Sequence, residues 1–227
     1  MSRKKSKNAN LWKILAALLF LGTAALTFVF VVAERNGHII GTEDFLKCGM
    51  ILGGMAFLGM CFLLAGTSRA KRPRAARFAM LILFAVYLVI LFGLLYGGSR
   101  NRYPEWHSAY SLKPFATIRI YIEAYESRSL RIRDVVSNLI GNVLLFMPMA
   151  WFVPFLIPPM RKWYSFIPFM LILICLVEAT QYMSGRGSMD IDDVLLNFPG
   201  AVIGFALLWN PLMMKLWKKT NLIGKRG

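Results

Sequence analysis

The sequence predicts an all-α fold: a polytopic membrane helix bundle of about six transmembrane helices, with an amphipathic outer segment between the third and fourth helices. Hydrophobic residues make up 57% of the 227 residues, charged residues only 17%, and the mean hydropathy is +0.55. Soluble domains are nearer to one quarter charged. The apolar residues form long blocks, and six of these reach the roughly 20 residues that a helix needs to cross a bilayer.

The six apolar runs cover residues 11–33, 45–66, 78–97, 138–158, 164–183 and 194–214. With both termini in the cytoplasm, the cytoplasmic segments are residues 1–13, 67–77, 159–163 and 215–227. These contain five, five, two and five basic residues, 17 of the 27 in the chain, and no Asp or Glu. Because Lys and Arg are in excess in short cytoplasmic loops, the net charge of +16 reflects topology. It does not indicate a nucleic-acid-binding protein.

The chain divides into three predicted regions: an N-terminal three-helix membrane region (1–97), an outer amphipathic or re-entrant segment (98–137), and a second three-helix region (138–227). In the outer segment Phe115, Ile118, Ile122 and Tyr125 share one helical face, which is typical of a helix lying on or dipping into the membrane surface. In the second helix Gly49, Gly53, Gly54 and Gly59 are predicted positions of close helix packing. Pro148 and Pro154 are expected to kink or end the fourth helix.

Polar residues concentrate at the outer ends of the last three helices. Asn138 and Asn142 open the fourth helix, and Glu178 and Gln181 lie one turn apart near the end of the fifth. At 100° per residue, Asp190, Asp193 and Asn197 fall within about 60° of one another on the sixth helix, whereas Asp192 points away. We therefore expect Asp192→Asn to be milder than Asp193→Asn. The predicted binding cluster comprises Asn138, Asn142, Glu178, Gln181, Arg186, Asp190, Asp193 and Asn197.

The cluster has three interpretations. The amides and Arg186 can simply hold helices together, at about 0.6 kcal/mol per hydrogen bond in a membrane. The carboxylates of Glu178, Asp190 and Asp193 are candidate ligands for a hard divalent cation such as Mg²⁺ or Ca²⁺, although no metal or cofactor is assigned. One desolvated carboxyl beside like charge can act as a general acid or base. Four carboxylates exceed what one arginine can balance, which favours a function, but whether it is enzymatic stays open.

The same residues resemble the VanZ-like family of bacterial membrane proteins. The resemblance comprises N-x-x-G-N at Asn138–Asn142 followed by Pro148, then E-x-x-Q at Glu178 and Gln181, and Arg186. It continues with D-x-x-D-x-x-x-N-x-x-G-x-x-x-G from Asp190 to Gly204. Upstream, "LKPFATI" is similar to the family's N-P-F-x-T-I segment, with Lys113 in place of the asparagine. The positions taken as structural are Pro114, Phe115, Gly141, Pro148, Gly200 and Gly204, and the recognisable domain covers about residues 78–214.

The resemblance implies a multi-pass protein of the bacterial cell membrane whose founding relative confers low-level resistance to teicoplanin, a lipoglycopeptide antibiotic. The implied partners are membrane lipid and a lipid-linked cell-wall precursor or the lipoglycopeptide itself, and no nucleic acid. Two other functions remain: an enzyme or flippase that acts on a lipid-linked phosphate or sugar of the cell envelope, and a structural membrane partner of envelope machinery.

Overall fold

The structure, a computed structural model, describes residues 2–35, 42–96, 110–185 and 189–223. Almost all of these residues are helical, and the only strands among them are two short ones. The helices are α1 (Ser2–Arg35), α2 (Thr42–Ala65), α3 (Arg72–Tyr96), α4 (Ala116–Glu126), α5 (Ile132–Leu145), α6 (Met149–Leu156), α7 (Trp163–Met183), α8 (Ile191–Leu208) and α9 (Pro211–Lys219); the strands are β1 (Tyr110–Ser111) and β2 (Met189–Asp190).

Six helical segments of the described chain are long and apolar enough to span a membrane. They are Asn8–Ala33, Leu46–Ala65, Arg69–Tyr96, Val135–Leu156, Trp163–Met183 and Ile191–Leu208. Large apolar side chains project outward from them, such as Leu21, Phe28 and Met50, which are 68%, 69% and 70% exposed. Removing such side chains from water into lipid is favourable. The predicted all-α fold of a multi-pass membrane protein is confirmed.

The chain forms two compact units, Met1–Gly98 with Met214–Gly227, and Ser99–Met213. In the first unit α2 packs against both α1 and α3. A Cβ on Gly59 would lie 2.9 Å from the Phe20 ring, and one on Gly49 would lie 3.1 Å from Ile90. A Cβ on Gly53 or Gly54 would meet no atom within 4 Å. The close packing predicted for the second helix is therefore correct at two glycines and wrong at the other two.

In the second unit α8 is the central helix and packs against α5, α6 and α7. The fourth predicted span is divided, because α5 ends at Leu145 and α6 begins after Pro148. Proline has no N–H to continue the hydrogen-bond ladder, so the predicted interruption at Pro148 is confirmed. Pro154 lies inside α6 and does not end it.

The boundaries of two predicted spans need correction. Helix α5 begins at Ile132, six residues before the predicted start, because its first turn is polar and hydropathy alone misses it. The sixth helix was predicted over residues 194–214, but α8 covers Ile191–Leu208. Asp190 caps its start, and Asn210 caps the next helix by accepting the N–H of Met213 at 2.9 Å. Pro211 at the first position of α9 suits a new helix start.

Candidate functional site

A buried polar cluster lies where α7 ends and α8 begins, which we call the polar end of the second unit. Among the described residues five polar or charged side chains are buried, and four of them are here: Glu178, Asp190, Asp192 and Asn197. Their exposed fractions are 3%, 6%, 1% and 2%. Buried carboxylates are costly without hydrogen-bond partners. A side chain whose oxygens all accept hydrogen bonds from the protein stabilises the fold. A side chain with an oxygen that has no such partner is available to a ligand.

Asp192 holds the start of α4. Its Oδ1 accepts the backbone N–H of Phe115 at 2.6 Å, and its Oδ2 accepts those of Thr117 and Ile118 at 2.8 and 3.1 Å. The first N–H groups of a helix have no partner within that helix, and Phe115 offers no capping side chain. Asp192 supplies the cap from a position 75 residues further along the chain. Its negative charge also complements the helix dipole.

Asp190 also stabilises the starts of α4 and α8 by hydrogen bonds. Its Oδ1 caps α8 by accepting the N–H of Asp192 at 2.9 Å, and its Oδ2 accepts the Thr117 hydroxyl at 2.5 Å. Strands β1 and β2 pair in parallel next to it, with Ser111 opposite Asp190. Both oxygens of Asp190 are occupied by protein donors, so this carboxylate has a structural role in addition to its charge.

Asn142 on α5 contacts Asp193 on α8. The Asn142 amide donates to Oδ1 of Asp193 at 2.6 Å, a short charge-assisted hydrogen bond. The Asp193 side chain is only half-buried. It therefore combines a fixed orientation with access from outside, which are the properties expected of a ligand-binding or acid–base carboxylate.

Asn138, one turn before Asn142, contacts α4 instead of the carboxylates. Its amide donates to the Tyr121 hydroxyl. Burial, with the nearby charges of Asp193 and Asp190, raises the pKa of the Tyr121 phenol above its ordinary value of 10.0. Tyr121 thus keeps its proton at neutral pH and can donate a hydrogen bond beside the acidic cluster.

Glu178 and Asn197 each present a buried oxygen with no partner in the described part of the chain. The Glu178 carboxylate accepts a hydrogen bond from the backbone N–H of Asp190 and lies within electrostatic range of Asp193. Its Oε2 has no hydrogen-bond donor, and neither has Oδ1 of Asn197. An unmade hydrogen bond at a buried acceptor costs about 1–3 kcal/mol, so these two oxygens are the strongest indication of a binding site.

The predicted cluster is thus brought together in part. The structure brings Asn142, Glu178, Asp190 and Asp193 together and buries Asn197 on α8. Asn138 contacts Tyr121, and Gln181 is half-buried one turn beyond Glu178. Arg186 lies outside the described residues. Asp192, which the helical wheel sets apart from the cluster, binds Thr117 on α4, as Asp190 does. Leaving Asp192 out of the predicted cluster therefore missed a main support of that helix.

The residues taken as structural differ in their surroundings. A Cβ on Gly200 would lie 1.8 Å from the Val143 carbonyl oxygen, and one on Gly204 would lie 2.9 Å from that of Met147. At these points α8 contacts neighbouring backbone directly. A Cβ on Gly141 would meet no atom within 4 Å. Pro114 precedes Phe115, whose φ of 63° turns the chain into α4 and aims its N–H at Asp192.

The carboxylates do not form a metal centre of the usual kind. No group of three His, Cys, Asp or Glu side chains in residues 2–35, 42–96, 110–185 and 189–223 is arranged to hold a metal ion. Glu178, Asp190 and Asp193, the candidate ligands, share one region but not this arrangement. The oxygens of Asp190 are already occupied by Thr117 and the backbone.

Sequence reasoning missed Asp192, Thr117 and Tyr121. Each makes its contact with a residue distant in the chain, and helical periodicity reports only on contacts within one helix. The one available indication was the position of Thr117 in "LKPFATI", the segment similar to a family motif.

The family model described as VanZ/LLP1 matches residues 78–215. No curated protein and no solved structure matches the chain.

Proposed function

The chain belongs to the VanZ/LLP1 family, and from this premise we propose that it lowers susceptibility to a lipid-anchored glycopeptide of the teicoplanin type. The polar end is the site that acts, on the outer side of the membrane. Support for this side comes from the basic residues, 17 of which fall in four short segments that the sequence assigns to the cytoplasm. The antibiotic class comes from the resemblance to the founding relative.

The observation that carries the proposal is a pair of buried oxygens, Glu178 Oε2 and Asn197 Oδ1, that have no donor among the described residues. Asn197 lies six residues after the start of α8, which places it about 10 Å from the helix end. Ionisable groups inside a membrane face a bundle interior or cavity and indicate function. A site at this depth is reached by a molecule that an acyl or polyprenyl chain holds in the bilayer.

The test compares two drugs that share a peptide-binding core but differ in the acyl chain, teicoplanin and vancomycin. In a deletion strain, the wild-type protein should raise the inhibitory concentration of teicoplanin more than that of vancomycin. Asp193→Asn should abolish the increase while the protein stays in the membrane. Glu126→Gln, which also replaces a carboxylate by its amide but at an exposed site, should leave the increase unchanged. Equal shifts for both drugs contradict recognition at membrane depth.

A second candidate function is an enzyme or flippase acting on a lipid-linked phosphate or sugar of the envelope. The contact between Asn142 and Asp193 favours it, because a half-buried carboxylate held by an amide is suited to proton transfer. This candidate predicts that lipid-linked precursors change in quantity or structure when Asp193→Asn replaces the wild type. A phenotype that survives Asp193→Asn would instead support a structural partner of envelope machinery.

A further inference from the structure

Among the residues that the structure describes, the polar end has more buried hydrogen-bond acceptors than donors to fill them. Glu178 Oε2 and Asn197 Oδ1 are buried and have no donor in the described chain, and one oxygen of the half-buried Asp193 accepts from Asn142. Asp193 and Asn197 are one helical turn apart on α8, and Glu178 is within electrostatic range of Asp193. The three side chains therefore offer neighbouring acceptors, two of which belong to carboxyl groups.

This combination selects the chemistry of a ligand. A phosphate or carboxylate brings further acceptors and negative charge, and would leave the buried oxygens of Glu178 and Asn197 without donors. A hydroxyl supplies a single donor and no charge. A primary ammonium supplies three donors and one positive charge, so it matches both the number of acceptors and their sign.

The structure also leaves room on the adjoining helix. Gly141 lies between Asn138 and Asn142 on α5, and a Cβ there would meet no atom within 4 Å. A glycine within a helix is less stable than alanine by about 0.5–1 kcal/mol, and no packing contact at Gly141 requires it. Gly141 is exposed, so no side chain at this position of α5 covers the neighbouring Asn142.

We propose that Glu178, Asp193 and Asn197 bind the primary ammonium group of a membrane-anchored molecule. The inference rests on the proposed function in one respect, that the polar end is the binding site, and it adds the class of ligand. Glu178 and Asp193 provide the charge, and Asn197 orients one N–H. The amine belongs either to a phospholipid headgroup or to a larger lipid-anchored molecule, and the chemistry at the site is the same.

The experiment measures binding of two lipids that differ in N–H donors. Purified full-length protein in detergent is titrated with short-chain phosphatidylethanolamine, whose headgroup is a primary ammonium. The comparison lipid is phosphatidylcholine of the same acyl length, whose quaternary ammonium has no N–H. Native mass spectrometry reads the bound fraction. We expect the wild type to prefer phosphatidylethanolamine by about tenfold or more, since hydrogen bonds to charged groups differ by this order.

Matched variants locate the site. Glu178→Gln should reduce the preference to about twofold or less, and Glu126→Gln on the exposed end of α4 should keep it. If Glu178→Gln does not fold, Asn197→Leu, which has a similar volume but no acceptor, gives the same test. Equal binding of both lipids by the wild type overturns ammonium recognition. A preference that persists in both Glu178→Gln and Asn197→Leu overturns the assignment of the site.

A third ligand tests whether recognition of the amine requires a lipid anchor. Glycerophosphoethanolamine has the ammonium but no acyl chains, and competition by it would show that the amine itself is recognised without a lipid anchor, which overturns the membrane-anchored part of the proposal. The proposed function can fail independently, since lipid preference without a change in drug susceptibility supports the ammonium site alone. A change in drug susceptibility without lipid preference supports only the proposed function.

Discussion

Two adjacent aspartates at the start of α8 have different physical roles. Asp192 is 1% exposed and accepts three backbone N–H groups of residues 115–118. Asp193 is half-buried and has one protein partner among the contacts described above, Asn142. Asp192 is therefore a structural residue, and Asp193 is the one available for binding or proton transfer. Helical periodicity sets the two residues apart on the wheel but does not predict these roles.

Replacing each aspartate by asparagine should separate the two roles. Asp192→Asn turns an acceptor into an NH₂ group facing backbone N–H donors, so we expect the free energy of unfolding to fall by about 1–3 kcal/mol. This revises the mild effect expected from the sequence. In Asp193→Asn the remaining oxygen still accepts from Asn142, so stability should change less while function is lost. Thermal unfolding of both variants in one detergent, with inhibitory concentrations measured in parallel, checks this. Equal destabilisation by the two changes contradicts it.

Tyr121 provides a test by pH. Its pKa is raised above 10.0 by burial and by Asp193 and Asp190, so the folded state holds the phenolic proton more tightly than the unfolded state. The contribution of Tyr121 to stability should be constant well below pH 10 and should be lost as pH rises through 10 towards the folded-state pKa. Tyr121→Phe should lack this part of the decline. The measurement is the unfolding midpoint of both proteins across the alkaline range; identical profiles would mean that the phenol is not shielded.

The position of α8 in the second unit depends on two places where its backbone lies directly against the backbone of a neighbouring segment. Gly200 and Gly204 lie against the carbonyl oxygens of Val143 and Met147, which lets α8 lie close enough to α5 for Asn142 to reach Asp193. These glycines follow the same helical face as the polar residues. The contact between α5 and α8 therefore sets the geometry of the site as well as the fold.

Two glycine-to-alanine substitutions should have opposite effects on stability. Gly200→Ala places a Cβ 1.8 Å from a carbonyl oxygen, so one helix must shift, and we expect reduced accumulation in the membrane and a lower unfolding midpoint. Gly141→Ala meets open space and should be neutral or more stable by about 0.5–1 kcal/mol. Quantitative immunoblotting of membranes and thermal unfolding compare them. Tolerance of Gly200→Ala would contradict the close packing of α5 and α8.

For the whole molecule, the sequence was sufficient for the fold class and for six apolar spans, because a bilayer imposes a length and a polarity that composition reveals directly. Interruptions of the helices were partly predictable, because Pro148 lacks the N–H that a continuous helix needs. The ends of the sixth predicted helix were not predictable from hydropathy, because capping by Asp190 and Asn210 determines where helices begin there. The hydrogen bond between Asp192 and the start of α4 joins residues that are 75 positions apart in the chain, and no local sequence pattern predicts such a contact. The three-region division stays a prediction.

The central claim is that the polar end faces the outside of the cell, and cysteine labelling tests it most directly. Cys48, Cys61 and Cys175 are replaced by alanine, and single cysteines are introduced as Ser127→Cys, at an exposed position after α4, and Ser68→Cys, in a predicted cytoplasmic segment. An impermeant maleimide applied to intact cells should label Ser127→Cys, and should label Ser68→Cys only after permeabilisation. Labelling of Ser68→Cys but not Ser127→Cys in intact cells would reverse the topology and contradict the proposed outer site.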